Sequence, residues 1–268
     1  MRIESAALAQ RTHMLQQLIA WTLVLVLGIS SAAQASTLEE LYQVAMEASY
    51  RGEFVKAEQL WSEAIAIAPD NAALWSNRGN VRVSQNHLQE AIADYDESVR
   101  LAPTAPDPYL NRGTAWEGLR EWDKAIADYE QVLQLAPEDA AAHNNLGNVR
   151  SSLGEYEQAL AEFETASRLA PGFAFASANV ALTLFQLDRV PEALQRMRSL
   201  VRKYPNFADM RAALTAVLWQ EGQRGEAESN WVAVMGLDSR YRDLTWVRQI
   251  RRWPPAAVTA LEQFLALQ

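Results

Sequence analysis

An all-α solenoid of repeated helix pairs is the fold that this sequence predicts, on three observations. Prolines recur at Pro69, Pro103, Pro137, Pro171 and Pro205, a constant step of 34 residues. Four of them close near-identical words, "IAIAP", "VRLAP", "LQLAP" and "SRLAP". In the frame they define, small residues and large ones recur at fixed offsets. Self-similarity at a period of about 20–50 residues marks units that bury their apolar faces by stacking on their neighbours.

The chain has 268 residues and no cysteine, so packing alone must stabilise it. Residues 1–35 stand apart: Arg2 and Arg11 precede the apolar run Leu18 to Ile29, and small residues follow at Ala33 and Ala35. This order predicts a secretory signal peptide cut after Ala35 and an exported chain. The run is shorter than the roughly 20 residues a membrane-spanning helix needs. If uncleaved, it would act as a membrane anchor.

Six frames follow within residues 36–241: 38–71, 72–105, 106–139, 140–173, 174–207 and 208–241, the last with Ser239 in place of proline. Position 8 is small in five frames (Ala45, Gly79, Gly113, Gly147, Ala181). Position 20 is alanine in all six (Ala57, Ala91, Ala125, Ala159, Ala193, Ala227). Position 24 is large: Trp61, Tyr95, Tyr129, Phe163, Met197 and Trp231. Small positions facing large ones at helical offsets predict two packed helices per frame. The proline ends the second helix because it lacks the donor that would continue it. Gly52, Gly154 and Gly222 fall at the turn between the two, where a positive φ is useful.

Arg78 and Arg112 interrupt the apolar stripe at position 7. An aspartate follows each by sixteen residues, Asp94 and Asp128, whereas the fourth frame changes both at once, to Leu146 and Glu162. The joint change predicts that each arginine pairs with its aspartate as internal glue, a site suited to a forked guanidinium.

The pattern of small, small, large and proline resembles the tetratricopeptide repeat family across all six frames. The resemblance implies a right-handed superhelix of helix pairs whose first helices line a partner-binding groove, with positions 2, 5, 6, 9, 12 and 13 facing it. Position 6 carries the ladder Asn77, Asn111, Asn145 and Asn179, with Asn80 and Asn148 at position 9. Amides both donate and accept, so a row of them suits the backbone of a protein partner or extended peptide; the alternative is that they only cap or bridge helices. Ala73, Ser76, Asp107, Leu110, Ala141 and Asn144 supply no cation, which argues against a carboxylate clamp. Toward the fifth and sixth frames the groove turns apolar, with Phe175, Leu182, Phe185 and Trp219. These residues would hold a partner's apolar anchor or be covered by the chain's own tail.

That tail, residues 242–268, predicts C-terminal capping helices: a short one over "DLTWVRQI", a break at Pro254 and Pro255, and an amphipathic closing helix. Arg248, Arg251, Arg252 and Trp253 make a candidate docking tail for an acidic partner or anionic membrane surface. The alternative is that the arginines satisfy helix C-termini and nearby carboxylates. The words "DLTW" and "IRRWPP" are similar to the C-termini of exported tetratricopeptide proteins of the thylakoid lumen and cyanobacteria.

Net charge is −9, against a nucleic-acid binder, which must neutralise phosphates. Residues 36–173 hold 10 basic and 23 acidic side chains, residues 174–268 hold 12 and 9. Nucleophile elbows, phosphate-cradling glycine loops and zinc spacings are absent, and His87 and His143 stand isolated, His143 at a core position. No catalytic residue, metal or cofactor is therefore expected. The sequence favours a non-enzymatic scaffold of the periplasm or thylakoid lumen, holding a protein during assembly or maintenance of an envelope or thylakoid complex. The alternative is a membrane-surface adaptor working through the basic, aromatic tail; a hydrolase accessory domain comes third. Oligomeric state is not fixed by these patterns.

Overall fold

The computed structural model describes residues 37–267; the expected signal peptide lies outside them. Among the described residues every regular element is helical. The chain divides into two compact units, ending and beginning at Pro103 and Thr104.

The described part of the first unit, residues 37–103, holds two helix pairs: α1 (residues 37–50) with α2 (Phe54–Ile67), and α3 (Ala72–Ser84) with α4 (Leu88–Leu101). Trp61 is fully buried against Ala45 and Ala57, meets Tyr42 edge-on at 5.2 Å, and donates from its indole to Ser49 Oγ at 3.2 Å. Asn71 caps α3 by accepting from the Ala73 amide at 3.1 Å. In the second pair Gly79 is required by space: a Cβ there would lie 2.6 Å from the Tyr95 ring.

The second unit, from Thr104, continues with α5 (Pro106–Gly118), α6 (Trp122–Leu135), α7 (Ala140–Ser152), α8 (Tyr156–Leu169), α9 (Ala174–Gln186), α10 (Val190–Lys203), α11 (Ala208–Gln220) and α12 (Arg224–Leu237). Each helix packs on the next in the chain. Pro106 and Asp139 mark two of the starts, the first as an N-terminal proline and the second by accepting from the Ala142 amide at 2.8 Å. Gly113 faces Tyr129 and Gly147 faces Phe163, as Gly79 faces Tyr95.

The inter-helix turns share one backbone device. Residues 52, 86, 120, 154, 188 and 222, again 34 apart, all have positive φ: the three expected glycines, and also Asn86, Arg120 and Asp188. Asparagine and aspartate tolerate this region; arginine does not, at a cost of about 1–2 kcal/mol.

The expected arginine pairs are present. Arg78 grips Asp94 with two bonds of 2.6 and 3.0 Å, and Arg112 grips Asp128 with bonds of 2.6 and 2.9 Å. Where Leu146 replaces the arginine, Glu162 turns to His143 at 2.7 Å. His143 is thus a half-buried partner of a carboxylate, not a core residue, because its second ring nitrogen also reaches the Pro137 carbonyl at 3.2 Å.

After α12 the short helix expected over "DLTWVRQI" forms as one continuous helical segment, residues 244–251, but not as a regular α-helix. A 3-10 turn (Ser239–Arg242) leads into α13 (Leu244–Trp246), which widens to a π-turn over Val247–Arg251. Arg252 then adopts the left-handed conformation, with φ 54°. Pro254 and Pro255 start the closing helix α14 (Pro255–Leu265).

Candidate functional site

A groove of about 760 Å³ lies in the second unit between α5, α7 and the tail. Its helical walls are polar because positions 9, 12 and 13 of these frames are Thr114, Glu117 and Gly118 on α5 and Asn148, Ser151 and Ser152 on α7. Trp122 and Tyr156 flank it, and Arg248, Arg252, Pro254 and Pro255 close it from the tail. Such a surface offers donors and acceptors for a main chain together with flat walls for its side chains. Among the described residues no group of three or more His, Cys, Asp or Glu is placed to hold a metal.

The tail is held by a buried acid that sequence reasoning missed. Oδ1 of Asp209, at position 2 of the sixth frame, accepts from Tyr241 Oη at 2.7 Å, Arg251 Nε at 2.8 Å and Trp253 Nε1 at 3.0 Å. Burial opposes the charge on Arg251, but the hydrogen bond and field of Asp209 outweigh it, so the guanidinium is held more firmly protonated than usual. Burial and the adjacent carboxylate both push the Tyr241 phenol up. The available signal was an acid two residues into an apolar helix with no basic residue at the usual offset.

One residue on, Arg252 forms a salt bridge with Glu117 and donates to Ser152 Oγ at 2.7 Å, tying the tail to both helical walls. Glu117 also accepts from the Tyr129 phenol at 2.9 Å. Burial is the main cause that raises the Tyr129 pKa, and the Glu117 charge adds to it.

The expected asparagine ladder is not one uniform row. Asn145 and Asn148 line the groove, and Asn111 lies half-buried on α5 outside its lining. Asn179 is turned to its neighbours, donating to Asn144 at 3.1 Å and Asn148 at 3.2 Å, so part of the ladder bridges helices. In the first unit, Asn77 and Asn80 border a smaller pocket of about 380 Å³ beside Trp61 and Tyr50. Asn80 accepts there from Tyr95 Oη at 2.7 Å.

The apolar anchors are largely covered by the chain itself. Phe185 is only 5% exposed and Leu182 3%, both within the core that includes Leu261 and Phe264 of α14. Trp219 packs edge-on to Phe264 at 5.2 Å, and Gln186 accepts from the Ala256 amide at 2.8 Å. Phe185 and Trp219 are therefore occupied by the closing helix and not open to a partner. Phe175 remains 48% exposed, against Phe207 and under the Arg251 guanidinium.

The docking tail also needs correction. Trp253 is 5% exposed and, with Arg251, serves Asp209, while Arg252 serves Glu117. Arg248 is the most exposed of the four, and it pairs with Glu262 at 3.2 Å. No helix among the described residues is long and apolar enough to cross a membrane.

Two family models match the sequence: "TPR repeat" over residues 79–118 and 121–154, and "Tetratricopeptide repeat" over 140–173. No curated protein matches it. Solved structures agree in fold. A tetratricopeptide repeat protein from Parabacteroides merdae ATCC 43184 is 20% identical, with a TM-score of 0.66 over 87% of this chain and 93% of its own. PilF of Pseudomonas aeruginosa is 16% identical, with a TM-score of 0.68 over 88% of this chain and 100% of its own. YrrB, described as a TPR protein with an unusual peptide-binding site, is 20% identical, with a TM-score of 0.54 over 72% of this chain and 97% of its own. Identities this low carry the fold alone.

Proposed function

The chain is a tetratricopeptide repeat protein, and from that premise we propose that it is a non-catalytic scaffold that holds an extended segment of a protein partner in the groove between α5, α7 and the tail. The carrying observation is the groove's lining: Thr114, Asn145, Asn148, Ser151 and Ser152 on one side and the Pro254–Pro255 corner on the other. Backbone recognition through amides and hydroxyls, with Trp122 and Tyr156 as flat contacts, fits a peptide better than a small polar metabolite. The peptide-binding site for which YrrB is described supports the same use of this fold. Together with the signal-peptide pattern of residues 1–35, the reading extends to an exported scaffold in the periplasm or thylakoid lumen, acting in the assembly or maintenance of an envelope or thylakoid complex.

The test is quantitative co-purification from the native host with a tagged full-length chain, wild type and Asn145→Arg, after circular dichroism shows equal helicity. The recovered partner is then titrated against both proteins by fluorescence anisotropy. An arginine placed in the groove wall is expected to weaken binding at least tenfold. Equal affinity for the two proteins would remove the groove as the binding site.

A further inference from the structure

Position 23 of the frame is a lock in four of the repeats. Asp94 is held by Arg78, Asp128 by Arg112, Glu162 by His143 and Asn230 by Arg211 at 2.9 Å. In each case the partner comes from position 4 or 7 of the same repeat. The fifth repeat breaks the rule. Its position 23 is Arg196, inverted in sign, and its positions 4 and 7 are Ser177 and Val180, which offer no acid.

Where the lock is missing there is a pocket of about 380 Å³ between α8, α9 and α10. Three cations line it, Arg168, Arg196 and Lys203, with the hydroxyls of Ser167, Ser177 and Ser199 and a single acid, Glu164. Among the described residues neither Arg168 nor Arg196 makes a hydrogen bond or a salt bridge. Lys203 uses one N–H on the Pro171 carbonyl at 3.1 Å and keeps two donors. Ser167 and Ser177 share one hydrogen bond of 2.7 Å, which leaves one hydroxyl proton of the pair to donate onward.

We propose that this pocket binds the phosphoryl group of a small soluble phosphate, inorganic phosphate or a phosphate monoester. Glu192, whose charge also reaches Arg196, is already neutralised by the two bonds it takes from Arg189. Three lining cations against one lining carboxylate therefore leave two positive charges, which match a phosphate carrying about −1.5 to −2 at neutral pH; a single carboxylate would leave one cation uncompensated. Two guanidinium forks, an ammonium and serine hydroxyls supply donors for three terminal oxygens. The apolar lining consists of Val180 and Leu200, both buried, so the surface has no side chain to insert into a bilayer, as an interfacial membrane contact requires.

The experiment is isothermal titration of the purified full-length chain with inorganic phosphate and with phenyl phosphate at about pH 7.5, in phosphate-free buffer. One saturable equivalent is expected for each. Arg168→Gln with Arg196→Gln should weaken both at least tenfold while moving the melting temperature little, because neither arginine holds another element. Lowering the pH to about 5.5 should weaken the binding of phenyl phosphate severalfold, as the monoester dianion takes up a proton near its second pKa of about 6. Absence of saturable heat, or unchanged affinity in the double variant, would overturn the proposal. Binding only to phosphatidic acid vesicles, or only to a phosphoserine peptide, would overturn it in favour of a membrane or a protein partner.

Discussion

The faces of α5 with α7 and of α9 with α11 are built on one 34-residue frame, yet the first is open and polar and the second is apolar and covered. At positions 9 and 12 the first pair carries Thr114, Glu117, Asn148 and Ser151, the second Leu182, Phe185, Ala216 and Trp219. The closing helix α14 lies on the second face through Leu261 and Phe264; the tail's Arg252 reaches the first through Glu117 and Ser152 and lies over the flanking Trp122 ring at 5.8 Å. The frame thus sets where helices pack, and four side chains per pair decide whether a face receives the chain's own helix or stays available. A solenoid needs a cap at its last exposed apolar face, and here the covering reaches back to α9.

Each face has one acid holding the tail, and the two should differ in weight. Asp209 is buried and serves three donors with one oxygen. Asp209→Ala would strand a half-buried guanidinium, a buried phenol and a buried indole, and should cost about 3–5 kcal/mol in urea unfolding. Glu117 faces an arginine that is 36% exposed, so its ion pair is screened and worth less. Glu117→Ala should cost about 2 kcal/mol or less, mostly through the Tyr129 phenol, and should leave α14 in place. Equal costs would mean that the tail is anchored as firmly to the open face as to the covered one.

The same two acids predict alkaline behaviour. Tyr129 beside Glu117 and Tyr241 beside Asp209 both have raised pKa values, from burial first and the neighbouring charge second. In the unfolded chain a tyrosine ionises near pH 10, so above that pH the unfolded state loses protons that the folded state keeps. Stability is fully present below about pH 10 and falls by up to about 1.4 kcal/mol per pH unit per tyrosine as pH rises toward the folded values. Melting temperatures recorded between about pH 9 and 11 should fall less steeply for Tyr241→Phe than for wild type, although that variant starts lower because Asp209 has lost a donor. An unchanged slope would show that Tyr241 does not stay neutral in the folded state.

The repeat grammar was legible because it is local and periodic. The proline step, the Gly79, Gly113 and Gly147 contacts and the Arg112–Asp128 pair all recur within one chain, so the sequence acts as its own comparison set. What could not be read was long-range and unrepeated. Asp209 meets Trp253 across 44 residues, and Arg252 meets Glu117 across 135; neither offset occurs twice. The asparagines illustrate the middle case. Their spacing was plain, but whether an amide faces a groove or a neighbour, as Asn179 faces Asn144 and Asn148, depends on side-chain packing that periodicity does not encode.

Arg120 sharpens the comparison with the smallest expected effect. It stands at the positive-φ position of the open face, with φ 61°, where the turns at 52, 154 and 222 use glycine, and it lines the groove. Relief of left-handed strain favours Arg120→Gly by about 1–2 kcal/mol, and the greater chain entropy of glycine in the unfolded state takes back a part. The variant should therefore be more stable by about 0.5–1 kcal/mol in urea unfolding. If it also binds the groove's partner more weakly, the strain is kept for recognition, as local strain often is at functional sites. If it is less stable than wild type, contacts of the arginine side chain across the turn outweigh the backbone cost, and the open face is held together more tightly than its polar lining suggests.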